Sequence, residues 1–536
     1  MAENTFDAIV VGSGISGGWA AKELCESGLK TIMLERGKNV EHIKDYVNAI
    51  MKFKKPFILT MKLLIPILLL FASNALAQVI TWQGPEGFAS DKFYQVKVNG
   101  IAVPVYDTPI ASYAVFDFTG KVKVEVNTMY DVRWVEARPM RLQIVPAYTG
   151  NNSFSFSLDK PTNLSLELNG RIRQRPLFLF SSSPEKNIPS KTDKNVVWFE
   201  KGKLYKDVRL ELQDNQTVYI EGGAVVQGYL YAKGKKNITV RGRGILDGTL
   251  TREMEGNDNR FLHFTDCSNV EVKDIVLHNG TTWQIAFFHS TNMAITNTRI
   301  VSESASDDGI DIFRCTNVVI DGVFAHTKDD CIAIKSGGKY PTDQPTDNIT
   351  VKNCIFWNSI WGNAIEIGFE LYSNEVKNIR FENIDIIHVE DGAAMSIHNA
   401  GQAHVHDVVF ENIRVEDSRQ KLFDVAIFFS QWGPDGIRDP AFTTKNYLHG
   451  AWDGVQKIPE GKEEYHRQFR GTISNILFKD IQVIGGLLPF SVFHGFDQEK
   501  NVSGIKIENL TYMGKRLTDE ASAKIRTQNT VGLVIK

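Results

Sequence analysis

The chain has 536 residues, with 60 Lys and Arg against 63 Asp and Glu and a net charge of -3. A hydrophobic content of 43% and a charged content of 23% are globular values, which exclude a disordered chain, a collagen and a strongly basic nucleic-acid binder. Five cysteines are too few for a disulfide scaffold, and no CxxC or Cys/His cluster has zinc-ligand spacing, so no metal is expected. The 42 glycines and 17 prolines fit a turn-rich all-β body better than a helical bundle.

In chain order, Asp7–Val11 reads as a short strand, and Gly12-Ser13-Gly14-Ile15-Ser16-Gly17 follows it directly. Trp19–Ser27 has helical composition, and Lys30–Leu34 is a second strand that ends at Glu35. Glycines at 12, 14 and 17 would let a backbone approach a pyrophosphate, and Glu35 stands where a ribose hydroxyl would be met. The segment resembles the FAD-binding start of the glucose-methanol-choline oxidoreductases. Its pattern stops near residue 55, far short of a nucleotide domain, so the motif is read as vestigial and no cofactor is expected.

A second beginning follows. Lys52, Lys54, Lys55 and Lys62 flank Met61, Leu63–Ala72 reads LLIPILLLFA, and Ala75-Leu76-Ala77 precedes Gln78. A basic region, a short apolar run and an AxA site make a secretory signal peptide. The run is shorter than the ~20 apolar residues of a membrane helix. The expected product is secreted or periplasmic, begins at Gln78, and has no stable membrane partner unless the segment stays uncleaved. The chain thus reads as a truncated oxidoreductase-like head joined to an exported protein that starts at Met61.

Residues 78–190 alternate on a period of two, as in Tyr94-Gln95-Val96-Lys97-Val98 and Asn163-Leu164-Ser165-Leu166-Glu167-Leu168, with turn residues between the runs. This predicts a small antiparallel β-sandwich with no chemistry of its own. From residue 195 to the end the texture changes. NITVRGRGILDG from Asn237, NVEVKDIVLHN from Asn269, NMAITNTRIVS from Asn292, NVVIDGVFAHT from Asn317, NITVKNCIFWN from Asn348 and NIRFENIDIIH from Asn378 recur about 23 to 32 residues apart. Such units bury their apolar faces only by stacking, so residues 195–536 predict a right-handed parallel β-helix. The recurring Asn suits a left-handed or side-chain-bonded corner. Cys267, Cys315, Cys331 and Cys354 fall inside these units and read as core thiols. The domains are therefore 1–55, 56–77, 78–190 and 195–536, all-β apart from the short head.

Asp308 and the Asp329-Asp330 pair lie one coil apart, and coils stack roughly 4.8 Å from one another. Three like charges so placed raise each other's pKa, which catalysis can use to keep one acid protonated. Neighbours on a flat strand face opposite ways, so Asp329 and Asp330 can both serve only at a strand end. Here the sequence resembles glycoside hydrolase family 28, the polygalacturonases, over about residues 195–515. Asp308-Gly309-Ile310-Asp311 and Asp329-Asp330 match two of the family's motifs. The resemblance implies that Asp329 is the general acid, that Asp308 and Asp330 activate water, and that configuration inverts. At the family's GHG position the chain reads Gly362-Asn363-Ala364, and at its RIK position Ser396-Ile397-His398. The loss of those cations puts an acidic sugar at the central subsite in doubt. Trp198–Tyr205, the leading sandwich, and the FWNSIWGNAIEIG and DIIHV phrases resemble family 49, the dextranases, which gives a neutral glucan as the alternative substrate.

Asn363, Glu366, His398 and Trp361 are the expected substrate-binding residues, with Glu366 and His398 projecting into the same cleft. Trp283 and Trp357 are further stacking candidates, and His326 reads as a turn residue. Residues 430–470, with Trp432, His449 and Trp452, interrupt the repeat and are expected to wall the cleft. Three other functions remain open. A lyase would need Lys328 or Lys335 as its base, a non-catalytic β-helix would bind glycan without the acids, and a flavin oxidoreductase would hold FAD. The expected partner is a polysaccharide, with no nucleic acid, on a monomer.

Overall fold

The structure, a computed structural model, describes residues 7–11, 15–34, 77–88, 90–250, 260–337, 345–436, 458 and 460–536. Gly12, Gly14, Glu35, the leader-like residues 56–76, and His449 and Trp452 of the insert lie outside the described residues. The chain divides into two units, Met1–Asn74 and Ala75–Lys536.

In the first unit, Ala8–Val11 pairs in parallel with Thr31–Leu34, Ala8 opposite Thr31 and Val11 opposite Leu34. Parallel neighbours need a crossover, and helix Ile15–Glu26 supplies it. The helix begins four residues before the helical composition does, so Gly17 lies in its first turn.

The second unit opens with two sheets. One has five antiparallel strands, with Val122–Thr128 between Ser153–Leu158 and Tyr94–Val98. The other is built around Ser112–Phe118, Leu177–Ser182 and Asn163–Leu168. The sandwich is not wholly antiparallel as expected: Leu177–Ser182 runs parallel to Ser112–Phe118, Leu177 opposite Ser112. The chain crosses to the other sheet and returns between these two strands, which frees their relative direction. Phe116, Phe118, Phe154, Leu164 and Leu179 fill the space between the sheets.

Tyr94–Val98 buries alternate residues only. Ser112–Phe118 and Leu177–Ser182 bury every residue, because their second face rests on the β-helix. There Tyr113, Phe178 and Phe180 pack against Val276, Val301, Phe324 and Trp357.

From Val196–Phe199 to Val534–Ile535 the described residues form one 31-stranded sheet wound into a β-helix, parallel apart from the short antiparallel pair Thr511–Tyr512 and Lys515–Arg516. The coils are right-handed, the hand that parallel crossovers take. Each early coil has three strands, each paired with its equivalent one coil on, as Thr291–Thr296 with Thr316–Asp321 and that in turn with Thr346–Lys352. From Glu375–Val389, a single strand of 15 residues, two strands complete a coil. Aliphatic rungs fill the interior, among them Ile310, Ile332 and Ile365, and Ile312, Ile334 and Ile367. Phe381, Phe410 and Phe478 stack with ring centroids 4.9 and 4.8 Å apart. The four cysteines of the repeats are buried free thiols.

The repeated asparagines form a ladder along one corner. Asn237, Asn269, Asn292, Asn317 and Asn348 all have φ near +57°. Each side chain also bonds the next: Asn292 donates to Asn269 at 3.0 Å, Asn317 to Asn292 at 3.1 Å, and Asn348 to Asn317 at 2.7 Å. Asparagine tolerates the left-handed conformation and supplies both a donor and an acceptor, so one residue type meets two demands. Asn317→Ala loses both, and its expected cost is about 1–3 kcal/mol by chemical denaturation. Asn317→Gly keeps the backbone and loses only the ladder bonds, so it should cost less. Equal cost for the two variants would mean that strain contributes nothing at this corner.

Candidate active site

Register places the acids. Ile310 opposite Ile332 and Ile332 opposite Ile365 keep three coils aligned, so the turns that precede those strands stack at one corner. Asp307-Asp308, Asp329-Asp330 and Gly362-Asn363 occupy these turns. Main-chain bonds tie them together, Gly309 N–H to Asp330 O at 2.8 Å and Cys331 N–H to Asn363 O at 3.0 Å. Asp329 and Asp330 lie between strands Phe324–Thr327 and Ile332–Lys335, outside regular pleating. Gly362 must be glycine: its φ is +64°, and a Cβ would come within 2.5 Å of Asp329 Oδ1.

The cleft at this corner has a volume of about 560 Å³ and is lined by Ser306, Asp329, Asp330, Trp361, Asn363, Phe369, Asp391, Gln420 and Trp432 among others. Asp329 opens onto it. Burial, then the charge of Asp308, pushes its carboxyl up to about 8. Asp330 is buried and also held well above the ordinary range, by burial and then by Asp329, Glu366 and Asp308. It accepts the Asn363 backbone N–H at 2.6 Å and the Asn363 side-chain amide at 3.3 Å.

Sequence reasoning treated Lys335 only as a candidate base. The structure buries its ammonium between Asp308 Oδ2 and Asp311 Oδ1, each at 2.8 Å. Burial opposes the charge, but Asp308 and Asp311 outweigh it and hold Lys335 well above its ordinary value. Burial, and then the Asp308 charge, pushes Asp311 well up. Trp283 covers the ammonium at 4.3 Å from its ring centroid, so this tryptophan packs on the ion cluster and is not among the residues that line the cleft.

Asp307 was missed, and only its adjacency to Asp308 could have flagged it. It is fully buried and accepts the backbone N–H groups of Ser304, Lys328 and Asp329 at 2.9, 2.9 and 3.0 Å. Burial outweighs these donors and pushes it up to about 7. It fixes the turn that carries the acid pair.

Glu366 and His398 do not project into open cleft as expected. Both are buried, and Phe369 stacks on the imidazole at 5.0 Å between centroids. His398 Nδ1 is 2.9 Å from Glu366 Oε2, and its Nε2 is 3.0 Å from Asp424 Oδ2. Burial opposes protonation of His398, but Glu366 and Asp424 prevail and hold it well above its ordinary value. Burial likewise opposes charge on Asp424, yet Lys421 and His398 hold it at about 2. Glu366 Oε2 also accepts the Asn363 amide at 2.9 Å, while Asn363 Oδ1 accepts Ala393 N–H at 2.8 Å. The chain Asp424–His398–Glu366–Asn363 thus orients the amide that meets Asp330.

Trp361 does reach the cleft, 48% exposed, with the Lys328 ammonium 4.1 Å from its ring centroid. Trp357 does not. It is buried against the sandwich and donates its indole N–H to Glu390 at 3.2 Å. His326 is no turn residue; it lies buried in strand Phe324–Thr327 with its ring 4.7 Å from that of Trp357. Of the 430–470 insert, Trp432 lines the cleft, and Arg470 is buried with its guanidinium on Asp435 and on the Ala400 carbonyl.

The chain is 24% identical over 222 residues to the probable endopolygalacturonase D of Neosartorya fischeri, a match over 41% of this chain and 43% of that protein. It is 23% identical over 267 residues to the polygalacturonase QRT2 of Arabidopsis thaliana, over 48% and 51%. The chain thus spans about half the length of the curated relatives it matches. Dex49A from Penicillium minioluteum has a similar fold, with a TM-score of 0.59 at 13% identity over 84% of this chain and 98% of that one. The family described as Glycosyl hydrolases family 28 matches residues 189–434. That segment of the β-helix, which resembles the family, holds all the acids of the cleft.

Proposed function

We propose that the chain is a secreted glycoside hydrolase of the polygalacturonase type that cleaves a polysaccharide with inversion. The observation that carries this reading is the division of labour among the acids. Asp329 faces the cleft and keeps its proton up to about pH 8. Asp308, one coil away, forms an ion pair with the Lys335 ammonium at 2.8 Å. A protonated carboxyl facing an ion-paired one is the pairing that glycoside hydrolysis needs. Asp329 donates its proton to the leaving glycosidic oxygen. Asp308 takes the proton of the water that attacks the anomeric carbon from the opposite face, and Asp330 beside it orients that water. The Asn363 amide, set by Glu366 and His398, holds Asp330 in place.

The lyase reading needs a neutral base, and Lys335 is clamped as a cation by two carboxylates. A second reading of the substrate is favoured by the lining of the cleft. Among its described residues there are three aspartates and the rings of Trp361, Phe369 and Trp432, with no Lys or Arg. Such a lining suits the apolar face of an uncharged pyranose better than a uronate. Comparing polygalacturonate with dextran as substrates separates the two readings. Export rests on the Met61–Ala77 pattern, and strand Val79–Thr81 begins immediately after it. N-terminal sequencing of the exported protein should therefore read Gln78 first; a product that retains Met61 would contradict export by this route.

Asp329→Asn should lower kcat by roughly 10²–10⁴-fold, the range of general acid catalysis. Activity of the parent should fall as pH rises through about 8, where Asp329 loses its proton. NMR of the first product should show the anomer opposite to that of the substrate. Retention of configuration, or near-full activity of the variant, would overturn the assignment.

The same shift has a consequence for stability. Folding raises the Asp329 pKa from an ordinary 3.8 to about 8, so the folded state binds this proton more tightly than the unfolded one. Its contribution is fully present below pH 3.8 and is lost as pH rises to about 8. Asn carries no such proton. The variant should melt with the parent in acid and increasingly above it up to about pH 8, as thermal denaturation across pH will show.

A further inference from the structure

The proposed hydrolysis uses nothing on the sandwich, yet the sandwich holds an exposed tryptophan in a built turn. Trp134 precedes strand Val135–Arg138 and is 45% exposed. Its ring lies over Gly170, where φ is +68° and a Cβ would meet ring atom Cζ2 at 3.1 Å. Asn169, also left-handed, accepts the backbone N–H groups of Arg133 and Trp134 at 2.8 and 3.3 Å and donates to the Asp131 carbonyl at 2.8 Å. Glycine and asparagine together therefore fix where the indole stands.

The ring borders a recess of about 290 Å³ shared with Tyr130, Arg133, Arg171 and Gln174. Arg171 Nη1 donates to Gln174 Oε1 at 2.7 Å, which orients both side chains. An aromatic surface beside fixed guanidinium and amide groups matches a pyranose ring. Its C–H face packs on the indole, and its hydroxyls meet the polar groups at the edge.

The loop that lines the recess also reaches toward the acid cleft. Arg173 lies between Arg171 and Gln174 and reaches the other way, donating from Nε to Glu390 Oε2 at 2.5 Å and from Nη2 to Ser359 Oγ at 3.5 Å. Ser359 and Glu390 directly precede Ile360-Trp361 and Asp391 of the cleft wall. One loop, residues 171–174, thus lines the recess on one side and braces the cleft on the other.

We propose that Trp134, with Arg133, Arg171 and Gln174, forms a second glycan-binding subsite that takes a remote stretch of the polysaccharide being cut. The identity of the polymer rests on the hydrolase reading; the site itself rests on the recess.

The test uses the full chain carrying Asp329→Asn, so that the polymer survives. Affinity electrophoresis through dextran and through polygalacturonate reads binding, and the more retarding polymer identifies the sugar class. Adding Trp134→Ala should weaken retardation roughly two- to tenfold, the worth of one aromatic contact. Gln174→Ala, on an exposed loop, should weaken it in the same direction and carries the test if Trp134→Ala does not fold. On the chain with Asp329 intact, Trp134→Ala should raise KM for polymer, leave KM for a trisaccharide unchanged, and spare kcat. Unchanged retardation in both variants, or no retardation of the parent by either polymer, overturns the subsite. Retardation that depends on Trp134, together with no hydrolysis of either polymer by the chain with Asp329 intact, leaves the subsite standing and removes the reading of the site as a hydrolase of these polymers.

Discussion

The in-register stacking of parallel coils is the constraint on which the site depends. Side chains inside the coil cannot slip by one residue without turning a rung of isoleucines outward. Ile310, Ile332 and Ile365 therefore hold three turns at the same height on the same corner. The turns deliver Asp308, Asp330 and Asn363 to one place although they are separated by 22 and 33 residues. The geometry of the acid cluster is thus set by apolar packing inside the coil. The asparagine ladder on another corner does the same for the backbone, since each left-handed Asn locks the pitch to its neighbour.

Charge is the second constraint. Asp308, Asp311, Asp329 and Asp330 crowd around one ammonium, that of Lys335. One cation cannot neutralise four carboxylates in a buried setting, so the cluster keeps protons near neutral pH. One of those protons is at Asp329, a member that opens onto the cleft. A coil further on, the charges are balanced differently. His398 stands between Glu366 and Asp424, and Lys421 compensates the latter. Removing one partner from such a buried array leaves another charge uncompensated, which costs far more than the pair contributes.

Much of this was legible in the sequence. The repeated NxxV phrases announce coils, the recurring Asn announces the corner, and the spacing of Asp308 and Asp330 announces their meeting. The depth of a polar side chain was not legible. Glu366 and His398 alternate outward from the interior rungs, and outward-facing positions usually meet solvent. Here Phe369, at the end of the strand that holds Glu366, stacks on His398 of the next coil, a contact the period-two pattern does not show. Lys335 is obscured for the same reason, since only the structure shows Trp283 closing over it. His326 and Trp357 were misread because their outward face is covered by the sandwich, and no period-two rule tells which module lies against which coil.

That cover also explains why the sandwich is needed at all. Val276, Val301, Phe324 and Trp357 form an apolar stripe on the outside of successive coils, which would stand in water without Tyr113, Phe178 and Phe180. Buried charges pin the contact. Arg138 reaches Glu167 of its own sheet at 3.0 Å and Glu416 of the β-helix at 2.8 Å, and His388 of the β-helix meets Glu167 at 3.0 Å. Burial opposes protonation of His388, yet Glu167 and Asp417 hold it at about 9, so the junction stays ion-paired through neutral pH. A sandwich fixed this firmly can carry Arg173 to Glu390 and so hold the wall of the acid cleft, which makes the module without chemistry part of what keeps the chemistry in place.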